Sequence, residues 1–228
     1  MKKIIILMAC LGTTFSHAQD VNPKSNLDQR FAYSIGYNMA ATNADVFEQM
    51  NIDAFIHGFK TALAGKAASL SPEEMAIALT EYRQNSEHKA FVEFQKLAED
   101  NAKQGQSFLA KNAQATGVQV TKSGLQYQVL NKAKGKKPKA NSVVSVHYEG
   151  RLLDQTVFDS SIARQQPAKF PLDQVIPGWT EGLQLMTVGS KYRFFIPAPL
   201  AYAELGSGDA IPPNSTLIFD IELLAIEK

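Results

Sequence analysis

Val175-Ile176-Pro177-Gly178-Trp179 is the stretch on which the reading of this chain turns: an apolar pair runs into Pro-Gly and then into the single Trp of 228 residues. Thr180-Glu181-Gly182-Leu183-Gln184-Leu185-Met186 follows, placing Trp179, Leu183 and Met186 at i, i+4 and i+7, one face of a short helix. Pro177 suits the first helical position, because its φ is already fixed near the helical value and it has no N–H to lose. Two readings are open at this point. One is a core helix anchored by a Trp. The other is a pocket whose floor is the indole ring and whose mouth carries the free N–H groups of a helix N-terminus.

Around this stretch the hydrophobic period is two. Leu125, Tyr127 and Val129 alternate with Gln126 and Gln128, and Val144, Val146 and Tyr148 alternate with Ser145 and His147. Tyr192, Phe194 and Ile196 make a third such face; Leu217, Phe219, Ile221 and Leu223, opposite Asp220 and Glu222, make a fourth. Between the first two lies Lys132-Ala133-Lys134-Gly135-Lys136-Lys137-Pro138-Lys139, readable as a solvated turn or as a contact for an anionic partner. From Gly117 onward the pattern predicts an antiparallel sheet with one short helix, an α+β domain.

Upstream the period is helical. Leu27, Phe31, Ile35 and Met39 form one stripe with Tyr33 and Tyr37 beside it, and Ile52 to Leu63 forms a second helix that stops at Gly65. Helices this short and this aromatic cannot bury their own faces, so they require the rest of the chain or a second copy. Ser71-Pro72-Glu73-Glu74 then supplies an N-cap, a Pro at N1 and a Glu at N3, opening a helix to about Ala113. Forty residues would span about 60 Å. Its apolar residues are sparse and keep no heptad, which predicts a mostly solvated strut, with Gly105 as its weak point.

The amino terminus, Met1-Lys2-Lys3 followed by an apolar run to Phe15 and by Ser16-His17-Ala18, reads as a signal peptide cut after Ala18. Leu7-Met8-Ala9-Cys10 also resembles a lipobox, so lipid tethering at Cys10 is the alternative. Either way the expected location is periplasmic or secreted, with no integral membrane span. Cleavage after Ala18 would leave no Cys. The formal net charge of +1 argues neither for nor against anionic partners, and no nucleic-acid partner is expected.

Val146-His147-Tyr148-Glu149-Gly150, Phe158-Asp159-Ser160-Ser161, Val175 to Trp179, and Ile211-Pro212-Pro213-Asn214-Ser215-Thr216-Leu217-Ile218-Phe219-Asp220 occur in this order. That series resembles an FKBP-type peptidyl-prolyl cis-trans isomerase domain over about residues 117–228. Tyr33-Ser34-Ile35-Gly36-Tyr37-Asn38-Met39, Phe59 to Gly65 and the entry Thr121 to Tyr127 are similar to the macrophage-infectivity-potentiator-like secreted members. The resemblance implies an antiparallel half-barrel wrapped around the Trp179 helix. It divides the chain into a signal peptide (1–18), a helical dimerisation domain (19–70), a long connecting helix (71–116) and an isomerase domain (117–228). The expected partners are unfolded or proline-containing polypeptides and a second copy of the chain, with an FK506-like macrolide as a further ligand.

The chemistry can be argued from the residues. Rotation about an X–Pro bond is opposed by a barrier of about 18–20 kcal/mol, because the amide loses resonance on twisting. Lowering it requires no nucleophile, metal or cofactor; it requires a dry slot for the proline ring and groups that favour the twisted amide. His57, His88 and His147 have no second His or Cys at helical spacing, so no metal site is expected. By resemblance, Trp179 is the floor under the proline ring, and Tyr148, Phe158 and Phe219 are aromatic walls, with Val175 and Ile211 completing the pocket. The Ile176 N–H and the Tyr202 hydroxyl would hydrogen-bond substrate carbonyls, and Asp159 would sit near the carbonyl that rotates. For Tyr148, Val175 and Phe219 a plain core role is an equal alternative.

Two positions depart from the family pattern. Ala168 follows Pro167 where many members carry an aromatic wall, and Ser207 stands in the loop where cytosolic members have a His. Three functions remain open on the sequence: a secreted isomerase, a holdase chaperone with secondary isomerase activity, and a binding module that has lost turnover. A fragment from Gly117 onward is expected to fold alone and keep most of its turnover on short peptides.

Overall fold

A computed structural model describes residues 21–48 and 50–227. The expected cleavage site after Ala18 and the candidate lipid site at Cys10 lie outside the described residues. The chain forms two compact units, one ending at Ile77 and the other beginning at Ala78.

Among its described residues the first unit holds the helices α1 (Leu27–Thr42), α2 (Ala44–Glu48) and α3 (Ile52–Leu63), together with the start of a fourth. The Asn26 side chain accepts from Gln29 N at 2.9 Å while the Gln29 side chain accepts from Asn26 N at 3.3 Å, a reciprocal cap that starts α1. At the end of α3, Gly65 takes φ +63° and donates to Ala62 O, and Lys66 donates to Thr61 O. This is the paired closure that glycine permits. Neither α1 nor α3 contains a buried residue. Leu27, Phe31, Ile35 and Phe59 are each more than half exposed, so the predicted apolar stripes form but stay uncovered within one chain.

Helix α4 (Pro72–Asn112) runs 41 residues. Its predicted capping box is present, with Glu74 N donating to Ser71 Oγ at 3.1 Å and Ser71 N donating to Glu74 Oε2 at 2.7 Å. These bonds hold the Glu74 carboxyl below its ordinary pKa. The strut reading fails over the carboxyl-terminal part of the helix, which packs on the sheet domain. Phe108 meets Phe195 with ring centroids 5.8 Å apart, the Asn112 side chain donates to Gln126 Oε1, and Gln126 Nε2 donates to Leu109 O. Gly105 is correspondingly a point of close approach and not a weak point. It is buried, and a Cβ built there would lie 2.4 Å from Thr216 Oγ1.

Among the described residues seven strands form one antiparallel sheet: β1 (Val118–Val120), β2 (Gln126–Asn131), β3 (Val143–Arg151), β4 (Val157–Ser160), β5 (Ala168–Pro171), β6 (Lys191–Ile196) and β7 (Leu217–Ile226). The order is β1-β2-β6-β7-β3-β4, with β5 pairing the first half of β3. Val144, Val146 and Tyr148 of β3, Phe194 and Ile196 of β6, and Leu217, Phe219, Ile221 and Leu223 of β7 share the inner face and are buried. Helix α5 (Pro177–Leu185) lies against that face with Trp179 and Leu183 in the core. Gly178 and Gly182 let it approach β6 closely, since a Cβ at either would fall 2.5 Å from Ile196 Cγ2 or 2.7 Å from Phe194 Cε1. The five lysines between β2 and β3 are exposed, but Pro138 in the same loop is buried.

On the outer face Asp220 accepts from Arg193 Nε and Nη2 and from Arg151 Nη2 at 2.5, 2.7 and 2.9 Å. Burial raises the Asp220 pKa, but the three nearby cations outweigh it and hold the group below its ordinary value. This cluster ties three neighbouring strands on the face away from α5.

Candidate active site

The turn into α5 delivers Trp179 to the floor of a cavity of about 440 Å³, within the roughly 300–1,000 Å³ usual for ligand pockets. Its lining is Tyr148, Phe158, Asp159, Phe170, Gln174, Val175, Ile176, Trp179, Tyr202 and Phe219. Three rings stand edge-on to the indole: Tyr148 at 5.1 Å and 83°, Phe219 at 5.2 Å and 84°, and Phe170 at 5.5 Å and 88°. Phe158 meets Phe219 in the same way at 5.5 Å and 87°. Edge-to-face packing directs positive ring edges at negative ring faces, and it fixes each wall against its neighbours. Trp179 is 5% exposed, and its Nε1 has no hydrogen-bond acceptor among the described residues.

Eight of the nine expected residues therefore line one cavity. Ile211 does not: it is 5% exposed and belongs to the core cluster. Phe170 and Gln174 line the cavity without having been expected. Ala168 pairs with Val146 and Phe170 with Val144, so the two occupy the same face of β5 two residues apart. Phe170 reaches the Trp179 ring from that face.

The polar rim has three parts. The Asp159 carboxylate accepts from the Tyr148 hydroxyl on Oδ2 and from Arg164 Nη1 on Oδ1. Arg164 Nη2 also donates to the Tyr148 hydroxyl at 2.9 Å, and the guanidinium carbon lies 5.7 Å from the Tyr148 ring centroid. Desolvation pushes the Asp159 pKa up, but the hydrogen bonds from Tyr148 and Arg164 and the guanidinium charge outweigh it, and the net shift is downward. Burial, reinforced by the bond to Asp159, pushes Tyr148 up. The second part is Tyr202, raised by burial and by the Asp159 charge nearby. The third is the Ile176 N–H, which no acceptor among the described residues takes up. Ile176 is the N-cap of α5, so this N–H stands at the positive end of the helix.

Arg164 was missed because nothing in Ile162-Ala163-Arg164 marks it. Its place beside Asp159 depends on the turn after β4, where Gln165 takes φ +55°. The assembled site is an aromatic slot with free donors at its rim and a carboxylate held ionised beside it. It contains no activated nucleophile: the Ser160 hydroxyl accepts from Ala163 N, and that of Ser161 is buried between Tyr148 N and His147. Such a site can grip an apolar ring and stabilise a rotated amide.

Comparisons with known proteins agree with this chemistry. Residues 134–224 match the family model described as FKBP-type peptidyl-prolyl cis-trans isomerase, and residues 28–129 match the domain amino-terminal to it. The chain is 45% identical to the FKBP-type peptidyl-prolyl cis-trans isomerase FkpA of Aeromonas hydrophila, over 89% of this chain and 78% of that one. It is 37% identical to the outer membrane protein MIP of Legionella longbeachae, over 100% of this chain and 99% of that one. The crystal structure of FkpA from Escherichia coli superposes with a TM-score of 0.74 at 37% identity, covering 89% of this chain and 98% of that one. Fold, slot chemistry and relatives together place the chain in the family of FKBP-type peptidyl-prolyl cis-trans isomerases, and it is an enzyme of that activity.

Proposed function

We propose that the isomerase works by seating the proline ring on Trp179 between Tyr148, Phe158, Phe170 and Phe219, while the rim donors act on the amide as it twists. The observation that carries this is the pairing of a packed aromatic slot with two unused donors, the Ile176 N–H and the Tyr202 hydroxyl. In the planar amide the carbonyl oxygen is charged by resonance; on twisting, that charge falls and the nitrogen becomes pyramidal and more basic. A slot that excludes water favours the less polar twisted form. The Ile176 N–H anchors the flanking backbone, and the Tyr202 hydroxyl takes the carbonyl that turns. Asp159 has both oxygens occupied, so it acts from a fixed position, orienting the Tyr148 hydroxyl and setting the field at the rotating carbonyl. Val175 fills the slot beside Ile176, and Ile211 supports it from the core. A thousandfold acceleration requires about 4 kcal/mol of preference for the twisted amide. A protease-coupled assay on a short X–Pro peptide tests the assignment: turnover that Tyr202→Phe and Asp159→Ala both leave unchanged would sink it.

The uncovered faces of α1 and α3 support a homodimer held by this helical half, acting on unfolded polypeptides as a chaperone as well as an isomerase. Light scattering on the full chain, with an aggregation assay on an unfolded client, tests both. The leader at residues 1–18 supports export and cleavage after Ala18, and a periplasmic site of action; mass spectrometry of the mature amino terminus distinguishes this from lipidation at Cys10. The boundaries 19–70, 71–116 and 117–228 serve as the functional division into dimerisation, connection and catalysis. An FK506-like macrolide is the further ligand expected at the same slot, and its displacement of peptide substrate is measurable by titration.

A further inference from the structure

The geometry points to the carboxyl-terminal half of α4 as a positioning element of the isomerase site, acting through Asn101 and Asn214 on the flap that carries Tyr202. The proposal rests on the reading of Tyr202 given above.

The segment between the flap and β7, Pro212 to Thr216, is held to α4 from both sides. Asn101 Nδ2 on the helix donates to Pro213 O at 2.8 Å, and Asn214 Nδ2 on the segment donates to Ala98 O at 3.2 Å. The two bonds cross between positions three apart on the helix, so they lie on one face of it. One turn further on, Gly105 brings the backbone of α4 against Thr216. Each of these residues belongs to the same compact unit.

Asn214 is the node that connects this clamp to the site. Its backbone N–H donates to Ala203 O at 2.9 Å, one residue beyond Tyr202. Asn214 and Ala203 both take positive φ, +53° and +50°. Such a conformation costs an alanine free energy and persists only where surrounding contacts over-determine it. Ser207 and Ile211 close the flap with a pair of backbone bonds, Ser207 N to Ile211 O at 2.8 Å and Ile211 N to Ser207 O at 3.2 Å. The flap is thus a closed loop whose base is a hydrogen bond to Asn214, and Asn214 is anchored to α4. Leu205 at its tip is 82% exposed and gives it no packing of its own. The backbone around Tyr202 is therefore held from two sides, by Ala203 N donating to Ala198 O at 2.9 Å and by the clamp at the base of the flap, and the clamp is the part that reaches α4. Asn101 and Asn214 are positioning residues: they touch no substrate and act through the loop.

The test uses the full chain. Asn101→Ala removes one arm; Asn214→Gly removes the other and tolerates the positive φ. Asn112→Ala is the control, since it removes a bond from α4 to Gln126 on β2, away from the flap. The expected result is a roughly three- to tenfold fall in kcat/KM on a short X–Pro peptide for Asn101→Ala and Asn214→Gly, with Asn112→Ala near wild type. Amide exchange at Ser207, Ile211 and Asn214 should quicken in the first two variants and not in the control. In a Tyr202→Phe background Asn101→Ala should cost little more, because the group it positions is already gone. Wild-type turnover with unchanged flap exchange in both clamp variants would overturn the proposal, as would an equal fall in the Tyr202→Phe background. If Tyr202→Phe alone has wild-type turnover, the role given to the hydroxyl fails separately and the double-variant comparison no longer bears on the clamp. The clamp then stands if the flap amides lose protection and turnover falls, and fails if they do not.

Discussion

The Asp159, Tyr148 and Arg164 cluster shows how one carboxylate can be held ionised beside an apolar slot. Burial alone would raise its pKa, but the hydrogen bonds from Tyr148 and Arg164 and the guanidinium charge reverse the sign. The folded pKa of Asp159 lies below its unfolded value of about 3.9. Its contribution to stability is therefore complete above that value and is lost as pH falls through the lower folded one. Tyr148 and Tyr202 are shifted the other way, above about 10, so what they contribute is complete below that value and lost only as pH rises through the higher folded ones. We expect kcat/KM to be flat from about pH 5 to 9, measured on a peptide without titrating groups; an acid limb starting near pH 5 would contradict the assignment of Asp159. Asp159→Ala and Tyr202→Phe should each lower turnover at least about tenfold, near 1.4 kcal/mol. The Asp159–Arg164 pair is about half exposed, so its loss should cost little stability. A large fall in Tm without a fall in turnover would mean that Asp159 serves the fold.

At the scale of elements, Gly105 on α4 shows where a sequence argument about one helix goes astray. Glycine costs a helix about 1 kcal/mol relative to alanine, so Gly105→Ala should stabilise an isolated strut. Here the new Cβ meets the buried Thr216, 4% exposed, and overpacking of this kind costs about 1–3 kcal/mol. We expect Gly105→Ala to lower Tm and Thr216→Ala to restore much of the loss in the double variant. A Tm above wild type for Gly105→Ala alone would show that α4 leaves the sheet domain in solution.

The same contact explains which parts of the fold were legible. Ser71-Pro72 with Glu74 announced the start of α4, and strict alternation announced β3 and β7, because caps and half-buried strands depend on neighbours in the sequence. Phe195 did not fit its alternation: it is apolar on what should be the polar face of β6, and it and its cross-strand neighbour Ile218 are buried. That anomaly was the available signal that something covers the outer face, and Phe108 does. Strands β4 and β5, four residues each, are too short to show a period. Of the candidate site, the motif residues that line the cavity were legible, while Ile211 in the same motifs belongs to the core. Arg164 and the Asn214 clamp depend on turns and on contacts more than a hundred residues apart, which no local pattern encodes.

For the molecule as a whole these contacts move the point at which the chain can be cut. A fragment from Gly117 contains the whole sheet and every slot residue, and the sequence alone makes it the natural isomerase domain. In the structure that cut removes Phe108 from Phe195, both partners of Gln126 and both arms of the Asn101–Asn214 clamp. Four lost hydrogen bonds at about 0.5–1.5 kcal/mol each and an aromatic contact of similar worth add to roughly 2.5–7.5 kcal/mol, a large share of the stability of an ordinary domain. A fragment beginning at Ala78, where the second compact unit begins, keeps all of them. We expect the Ala78 fragment to be monomeric, to melt near the full chain and to match its turnover on short X–Pro peptides. The Gly117 fragment should melt well below it and turn over more slowly, because the flap loses its anchor along with the helix. Neither fragment carries the uncovered faces of α1 and α3, so both should act on unfolded protein clients less well than the full chain, by more than their loss on peptides. Light scattering, thermal melts and parallel assays on a peptide and a refolding protein decide each point. Equal stability of the two fragments would show that α4 contributes nothing to the isomerase domain, and equal losses on peptide and protein clients would show that the helical half contributes nothing to client capture.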